Sequence, residues 1–346
     1  SAGSPDASPE RSADASAEES GAASTSTAAA VVSTDQSLTA RGLGGVGASA
    51  RSAYLAPQDA SVQPLTVHHE NVLGTSLALT LEGTAEESSA AEAKVLAEIE
   101  RLRLVMSGWD KESELSRLPV GEPVAASGEL CALLDDVNHW VKRTRGAFHP
   151  GVAAYSELWQ RTAAEGRVPT AEELVSAGKD LTTRVFEVKA SKGLASRLTE
   201  GPFSLDGAAK GFILDAAAEA AQKAGIASGV IDFGGDVRIF GSAKRKVAVA
   251  DPLHPADNAD PLLHVVLGDS SIATSGGYAR GWEIAGQRYH HILDPKTGWP
   301  VEQVIQATVV AKSGLTADVL ATAFSVMDPR ASLKLCNRQK GVEALI

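Results

Sequence analysis

The sequence of 346 residues has few cysteines, few aromatic residues, a deficit of basic side chains and no long apolar run. Its two cysteines, Cys131 and Cys336, can form neither a disulfide framework nor a CxxC metal motif, so we expect two buried thiols. No stretch approaches the roughly 20 consecutive apolar residues of a membrane-spanning helix. The 32 Lys and Arg against 43 Asp and Glu give a net charge of −11. This charge argues against nucleic-acid binding, which needs clustered cations.

The first 62 residues differ in composition from the rest. Residues 1–30 are mostly Ala and Ser, and the first aromatic residue is Tyr54. Such a segment buries too little apolar surface to offset its ordering entropy, which predicts a disordered Ala/Ser-rich leader or tether over 1–62. Because the chain opens at Ser1 instead of Met, we expect that a signal peptide, a lipid-anchor segment or other residues precede it. A tether suits an exported protein held at a membrane surface, and an ordinary disordered N-terminus is the alternative.

Residues 63–346 form one predicted domain in which strand and helix patterns alternate. Helical spacing predicts helices over 85–106, around 130–141, over 210–224 and over 316–327, the last with Thr316 as its N-cap. Strand patterns cover 71–82, 229–240, 246–250, 262–267, 282–285 and 305–311. Strands outnumber long helices and no regular βαβ rhythm is present. We therefore expect a mixed α/β (α+β) fold, with a largely antiparallel or mixed sheet flanked by helices.

Two glycine-rich turns are candidate ligand sites. The first, SLDGAAKG at 204–211, leads directly into a predicted helix and carries Lys210. Small residues let the backbone approach a ligand, and amides at a helix N-terminus favour phosphate. The turn matches neither GxxxxGKS nor GxGxxG, so a phosphate site and a plain strand-to-helix turn both stay open. The second, DFGGD at 232–236, either exposes Asp236 for hydrogen bonding or serves as a simple hairpin turn.

A third motif, at 271–300, holds Ser275, Gly276, the adjacent His290 and His291, and the sequence DPKTG. Adjacent residues on a strand point to opposite faces, so at most one of the two histidines faces a given site. That histidine is either a general base or structural.

A fourth motif, TADVLAT at 316–322, places Asp318 and Thr322 four residues apart on one helix face. Such oxygens suit Mg²⁺ beside substrate phosphates. Alternatively, the Thr hydroxyl bonds back into its own helix and Asp318 lies near the cap.

Taken in order, these motifs resemble those of the ApbE-type FAD:protein FMN transferases. The matching stretches are VLGTSL (72–77), MSGWDKESELSRL (106–118), GAFHP (146–150), LDGAAKGFILD (205–215), DFGGD (232–236), ATSGGYAR (273–280), HILDPKTGWP (291–300) and TADVLATA (316–323). The resemblance runs from residue 71 to the C-terminus. It implies an enzyme that uses Mg²⁺ to cleave the pyrophosphate of FAD, passes FMN to a Thr or Ser hydroxyl of an acceptor protein and releases AMP. The alternatives are a Mg²⁺-dependent FAD pyrophosphatase, in which water replaces the hydroxyl, and a non-catalytic flavin-binding protein.

The resemblance also implies roles for individual residues. Mg²⁺ is expected between Asp318, Thr322 and the backbone carbonyl of Gly207, with Asp318 counted as catalytic. Lys210 is expected near the FAD phosphates, and His291 near the pyrophosphate as the base that activates the acceptor hydroxyl. The remaining expected flavin and adenosine contacts are Leu73, Trp109, Phe148, His149, Ser204, Asp236, Ser275 and Gly276.

The sequence departs from the usual family pattern at several positions. His149, Ser204 and Gly277 stand where the family usually has Asp, Leu73 where it has Met, and Pro119 where it often has Asn. Asp206 is a candidate for the carboxylate missing at Ser204. These changes concern FAD affinity or acceptor choice more than the phosphoryl chemistry. Because many family members are exported and lipid-anchored, the leader predicts a periplasmic location or the outer face of the cytoplasmic membrane.

Overall fold

The computed structural model describes residues 51–53, 64–181, 184–242, 244–254, 259–278 and 280–346. Most of the predicted leader, 1–50 and 54–62, lies outside these residues. The exception is Arg51–Ala53, whose backbone pairs antiparallel with a strand of the domain. These three residues of the predicted leader therefore belong to a sheet.

Strands and helices follow no regular alternation along the described chain, and eight consecutive strands lie between the fifth and the sixth α-helix. The strands are β1 (Arg51–Ala53), β2 (Leu65–Val72), β3 (Thr75–Leu81), β4 (Val124–Ala125), β5 (Phe186–Lys189), β6 (Leu194–Arg197), β7 (Gly229–Phe233), β8 (Asp236–Phe240), β9 (Arg245–Val249), β10 (Leu263–Leu267), β11 (Ser270–Gly276), β12 (Gly281–Ile284), β13 (Gln287–His290), β14 (Gln306–Ala311) and β15 (Glu343–Leu345). The helices are α1 (Ala85–Met106), α2 (Gly128–Arg143), α3 (Ala153–Ala164), α4 (Ala171–Gly178), α5 (Ala209–Lys223), α6 (Gly314–Phe324) and α7 (Pro329–Cys336).

The main sheet has the order β15-β14-β11-β8-β7-β3-β2, and its neighbouring strands pair antiparallel. Alternate side chains of each strand serve the two faces. Ile231 of β7 packs into the core shared with α1, α5 and α6, whereas its neighbour Val230 packs against β9 and β10. The sheet is thus covered by helices on one face and by the small sheet β1-β9-β10 on the other. This confirms the expected mixed α/β fold with an antiparallel core.

Helix boundaries follow from local capping and apolar spacing. Helix α1 covers the predicted range because Thr84 and Glu87 form a capping box, and its apolar residues four or three apart are buried. Helix α5 is followed by Gly225, whose φ of +102° stops it as predicted. The prediction for α6 was wrong at its start. Its N-cap is Ser313, whose hydroxyl accepts the N–H of Thr316, so Thr316 lies inside the first turn.

Two segments predicted as strands, 71–82 and 229–240, contain tight hairpin turns; the second is the hairpin turn that was one of the two interpretations of DFGGD, and the first was not predicted. The chain reverses at Leu73 and Gly74 (φ +50° and +77°) and at Gly234 and Gly235 (φ +62° and +93°). Left-handed conformations at both central residues suit a two-residue hairpin turn. The two turns are neighbours, since a Cβ atom added at Gly234 would lie 2.2 Å from the Thr75 hydroxyl. They mark the end of the sheet at which the candidate site is assembled.

An aromatic cluster holds the segment that follows β13. Trp159 of α3 is fully buried, and its indole N–H donates to the Gly298 carbonyl at 2.7 Å. The rings of Trp282, Tyr289 and Trp299 surround it with centroid distances of 5.0–5.6 Å. The hairpin β12–β13 and the loop 291–300 are therefore anchored to α3.

Cys131 and Cys336 are free and buried, as predicted. Within the described ranges, none of the helices has the length and apolar character needed to cross a bilayer.

Candidate active site

Helices α5 and α6 cross at two glycines, and this crossing positions the candidate site. A Cβ atom at Gly211 would lie 2.3 Å from the Gly314 carbonyl oxygen, and one at Gly314 would lie 2.6 Å from the Gly211 carbonyl oxygen. Asp215 of α5 reinforces the crossing, because its carboxylate accepts the Gly314 N–H at 2.8 Å and the Ser313 hydroxyl at 2.9 Å. The N-terminal turn of α6 is thereby tied to α5.

Asp318 extends from α6 to the N-terminus of α5. Its side chain is buried, and Oδ2 accepts the backbone N–H of Gly211 at 3.1 Å. Burial raises the pKa of this carboxyl group to about 7, with a further contribution from the Asp236 charge, while Lys210 and the Gly211 N–H act in the opposite direction. A carboxylate at a helix N-terminus that carries an elevated pKa is a candidate ligand for an arriving cation.

Thr322 lies one turn further along α6 and faces Gly207. A Cβ atom at Gly207 would lie 2.8 Å from the Thr322 hydroxyl oxygen, so only glycine permits this approach. The Ser275 hydroxyl lies 3.5 Å from the same oxygen. Gly276, the last residue of β11, follows Ser275 at this end of the sheet.

The donor set around Asp318 fits a hard divalent cation. Within the described part of the chain, no group of three or more His, Cys, Asp or Glu side chains could hold a metal. The predicted set differs from such groups, because it combines one buried carboxylate, the Thr322 hydroxyl and the backbone of Gly207. Oxygen donors of these mixed types are the ligands that Mg²⁺ accepts when substrate and water complete its shell.

Lys210 and Asp236 form an ion pair beside these residues. The Lys210 ammonium donates to the buried Asp236 carboxylate, which starts β8 directly after the Gly234–Gly235 turn. Burial by itself would lower the pKa of Lys210, but the charges of Asp236 and Asp318 outweigh it and raise the pKa above its ordinary value. Lys210 is therefore a fixed cation whose side chain remains partly exposed, with 37% of its surface accessible.

The hairpin turn that carries Leu73 lies at the same end of the sheet as Asp236. Leu73 is half-buried and packs against the main core. The structure thus brings together most of the predicted site residues, namely Leu73, Gly207, Lys210, Asp236, Ser275, Gly276, Asp318 and Thr322.

Phe148, His149 and Ser204 form a second group. Phe148 is buried in the main core, and His149 caps a short 3₁₀ helix by accepting the Gly151 N–H on Nδ1 at 3.0 Å. Ser204 joins this group through its backbone N–H, which donates to the Pro150 carbonyl at 3.0 Å. Its hydroxyl accepts the N–H of Asp206, whose charge reaches Asp318 and raises its pKa. Asp206 therefore contacts Ser204 and lies close enough to the predicted metal ligand Asp318 to affect its pKa.

Trp109 lies in the loop after α1, and 84% of its surface is exposed. The Ser107 hydroxyl accepts its backbone N–H and that of Asp110. The backbone of Gly108 faces the Phe203 carbonyl, with 4.0 Å to an added Cβ atom. The loop is thus next to the segment that leads to Ser204, while the indole ring is presented to solvent.

We expected His290 and His291 to lie on one strand and to point to opposite faces. His291 instead follows the end of β13, so strand alternation does not determine where its side chain points. Its backbone N–H and Nδ1 both lie 3.3 Å from the Arg280 carbonyl oxygen. A carbonyl only accepts, so the proton resides on Nδ1 and Nε2 carries the free electron pair. Burial lowers the pKa of His291, and the charges of Arg280 and His290 lower it further. The hydrogen bond to the Arg280 carbonyl acts in the opposite direction but does not reverse the shift. The ring is therefore a neutral imidazole at pH 7, as a general base requires.

The ring of His290 explains one departure from the usual family pattern. A Cβ atom at Gly277 would lie 2.8 Å from Cγ of His290, so the imidazole occupies the space of a side chain at 277. The Nδ1 atom of His290 is buried and has no hydrogen-bond partner among the described residues. An Asp at 277 is incompatible with this position of His290.

Sequence reasoning missed two residues that the structure places at the site. Asp215 ends the motif LDGAAKGFILD and holds the start of α6, and Arg280 ends ATSGGYAR and holds His291. Both residues could have been found from the sequence, because each is a charged residue that ends a motif of mostly small and apolar residues.

Comparison with known proteins identifies relatives over most of the chain. A sequence profile of the ApbE family matches residues 73–346. The FAD:protein FMN transferase of Treponema pallidum is 30% identical over 283 residues, which is 75% of this chain and 78% of that protein. The FAD:protein FMN transferase of Vibrio cholerae is 32% identical over 257 residues, which is 70% of this chain and 76% of that protein.

Solved structures show the same fold. The ApbE protein of Thermotoga maritima superposes with a TM-score of 0.73 at 30% identity, covering 82% of this chain and 94% of that chain. The flavin transferase ApbE of Vibrio cholerae gives a TM-score of 0.68 at 25% identity, with coverage of 82% and 93%.

Proposed function

This chain belongs to the ApbE family, and we propose that it uses Mg²⁺ to transfer FMN from FAD to a Thr or Ser hydroxyl of an acceptor protein, with release of AMP. Flavin transfer is the activity in the names of its relatives. The observation that carries the proposal is the convergence of Gly207 and Lys210 with Asp318 and Thr322, which are more than 100 residues apart in sequence.

Asp318, Thr322 and the Gly207 carbonyl are the residues that would hold Mg²⁺. Bound Mg²⁺ would supply positive charge that offsets the negative charge developing on the phosphoryl oxygens. The close approach of Gly207 and Thr322 and the buried Asp318 carboxylate support this assignment. The pKa of Asp318 is raised when no cation is bound, and a bound cation would favour the ionised carboxylate.

Lys210 would hold a phosphate of FAD. Its ammonium group is already fixed by Asp236, so little side-chain entropy is lost when a phosphate oxygen takes a second hydrogen bond. Asp236 then acts as the group that orients Lys210 and keeps it charged, since it raises the Lys210 pKa.

His291 would accept the proton of the acceptor hydroxyl. The Arg280 carbonyl fixes the tautomer in which Nε2 is unprotonated, and burial keeps the ring neutral by lowering its pKa. An unactivated Thr hydroxyl needs such a base to attack a phosphoanhydride. If water reaches the same position, the reaction is FAD hydrolysis to FMN and AMP, which is the alternative activity of this site.

The test measures AMP release from FAD and covalent flavin on an acceptor protein, with and without Mg²⁺. Asp318→Asn is compared with the wild type and with Asp135→Asn, an exposed Asp on α2. We expect Mg²⁺-dependent flavin transfer in the wild type and in the control, and its loss in Asp318→Asn without loss of thermal stability.

Three other outcomes contradict the proposal in different ways. AMP release without flavin on any acceptor indicates the pyrophosphatase. FAD binding without AMP release, in the presence of an acceptor, indicates a non-catalytic flavin-binding protein. Turnover that is equal in Asp318→Asn and the wild type refutes the metal assignment.

We also propose that the chain acts outside the cytoplasm, tethered to a membrane surface by its N-terminal segment, with a lipid anchor as one form of attachment. The Ala/Ser-rich composition of residues 1–30 supports this location. Fractionation of cells that express the gene with its native N-terminus tests it. Recovery of the protein only in the cytoplasmic fraction would contradict the proposal.

A further inference from the structure

The candidate site has more negative than positive charge before FAD enters. Asp206, Asp236 and Asp318 contribute carboxylates, while Lys210 contributes an ammonium group that Asp236 already binds. The pyrophosphate of FAD brings two further negative charges to the same region. A bound Mg²⁺ would balance only part of this total, and a second cationic side chain near the phosphates would offset part of the remainder.

Arg280 occupies a fixed position next to His291. It immediately precedes β12, whose first residue, Gly281, pairs with His290 at the end of β13. Its carbonyl oxygen lies 3.3 Å from both the backbone nitrogen and Nδ1 of His291. The backbone of Arg280 is thereby held by the same hairpin that carries the proposed base.

The guanidinium group of Arg280 is available for a ligand. The residue is exposed, and no carboxylate of the described residues forms an ion pair with it. Its charge nevertheless reaches the candidate site, because it opposes the rise in the pKa of Lys210 and lowers the pKa of His291. The geometry agrees, because the segment that ends at Arg280 starts from Ser275, whose hydroxyl lies 3.5 Å from the Thr322 hydroxyl, and the Arg280 carbonyl lies 3.3 Å from His291 Nδ1.

We propose that Arg280 binds the pyrophosphate of FAD, with its guanidinium group donating to phosphate oxygens between the Lys210 side and the His291 side of the site. This inference rests on the proposed function. Guanidinium groups suit this task because their planar array of donors can hold two phosphate oxygens at once. The backbone and the side chain of Arg280 then have separate roles, since the carbonyl orients His291 and the guanidinium holds the substrate.

The chain offers a matched control for this proposal. Arg288 lies in the same hairpin, and its guanidinium group is already engaged because it donates to the Tyr278 carbonyl at 2.8 Å. The experiment compares Arg280→Gln, Arg280→Lys and Arg288→Gln with the wild type. The two probes are FAD, which carries the pyrophosphate, and riboflavin, which carries no phosphate, and binding is followed by flavin fluorescence in the presence of Mg²⁺.

We expect Arg280→Gln to weaken FAD binding about tenfold, the size of effect typical of a lost charge-assisted hydrogen bond. Riboflavin binding should stay unchanged, Arg280→Lys should restore part of the FAD affinity, and Arg288→Gln should bind both probes as the wild type does. Thermal unfolding of all variants should match the wild type.

Unchanged FAD affinity in Arg280→Gln overturns the proposal. An equal loss of FAD and riboflavin affinity also overturns it, because that pattern indicates a structural effect on the hairpin. A loss of flavin transfer at unchanged FAD affinity would assign Arg280 to the acceptor protein instead. If the wild type binds no FAD, the proposed function fails first, and the inference about Arg280 fails with it.

Discussion

The crossing of α5 and α6 predicts a specific response to the substitution Gly211→Ala. The added methyl group would lie 2.3 Å from the Gly314 carbonyl oxygen and 2.7 Å from the Leu315 nitrogen. Both are backbone atoms, which cannot rotate away as a flexible side chain can. The two helices must therefore separate, and Asp318 moves with α6 away from the Gly211 N–H that it accepts.

The size of the effect follows from two opposing contributions. Replacing Gly by Ala within a helix stabilises it by up to about 1 kcal/mol. Forcing an extra methyl group into a packed contact destabilises by about 1–3 kcal/mol. With the full offset, we therefore expect the free energy of unfolding of Gly211→Ala to fall by up to about 2 kcal/mol, and Mg²⁺-dependent turnover to fall further because Asp318 and Thr322 are displaced together.

Urea unfolding followed by circular dichroism measures this change. Gly128→Ala is the matched control, since Gly128 begins α2 and an added Cβ atom there has no neighbour within 4 Å. The control should be as stable as the wild type or more stable. If Gly211→Ala gained stability to the same extent as Gly128→Ala, the close approach of the helices would not restrict residue 211, and the reasoning would be refuted.

Three further predictions concern the same site. Because burial lowers the pKa of His291 below its ordinary value of about 6.5, the wild-type rate of flavin transfer at saturating Mg²⁺, where Asp318 is ionised, should reach half of its maximum only below about pH 6.5; half-maximal transfer at or above about pH 6.5 under these conditions would contradict a neutral His291 base. Asp215→Ala removes the acceptor of the Gly314 N–H and should lower the free energy of unfolding by about 1–3 kcal/mol in a urea titration, with exposed Asp135→Ala near the wild type. Gly207→Ala places a methyl group 2.8 Å from the Thr322 hydroxyl, so the Mg²⁺ concentration for half-maximal AMP release should rise while thermal stability changes little; an unchanged Mg²⁺ requirement would remove Gly207 from the metal set.

Local sequence signals were sufficient for part of the helices only, since α3, α4 and α7 were not predicted. Helix α1 was predicted over its observed range because its apolar spacing and its capping residues Thr84 and Glu87 agree. The error at the start of α6 has a distant cause. Ser313 and Thr316 are both capable N-caps, and the choice of Ser313 depends on Asp215, about 100 residues away, which binds the Ser313 hydroxyl.

The hairpin at Leu73 was hidden by its apolar content, whereas a hairpin turn at Gly234–Gly235 was among the expected alternatives. Leu73 adopts a φ of +50°, which is unusual for a residue with a branched apolar side chain, so VLGT did not read as a turn. The pair Gly234–Gly235 gave a turn signal, but the strands on both sides are continuous in their apolar pattern because both faces of the sheet are covered.

The assembly of the candidate site could not be derived from spacing. The crossing of α5 and α6 at two glycines brings distant residues into contact. It pairs Gly207 with Thr322 and Gly211 with Asp318. No periodicity encodes that crossing, and the expected grouping came from the order of motifs that resemble a family. The motif order did not reveal Arg280, since its relation to His291 depends on how β12 and β13 pair.

The aromatic cluster around Trp159 gives the molecule an internal optical probe. Of the five tryptophans in the chain, Trp282 and Trp299 both lie within ring-contact distance of Trp159. Rings at such separations couple their electronic transitions, so they should dominate the near-ultraviolet circular dichroism. The loop that they contact begins at His291, so this spectrum reports on the end of the hairpin next to His291 without any added label. A change in that signal when FAD is added would record the response of the loop directly.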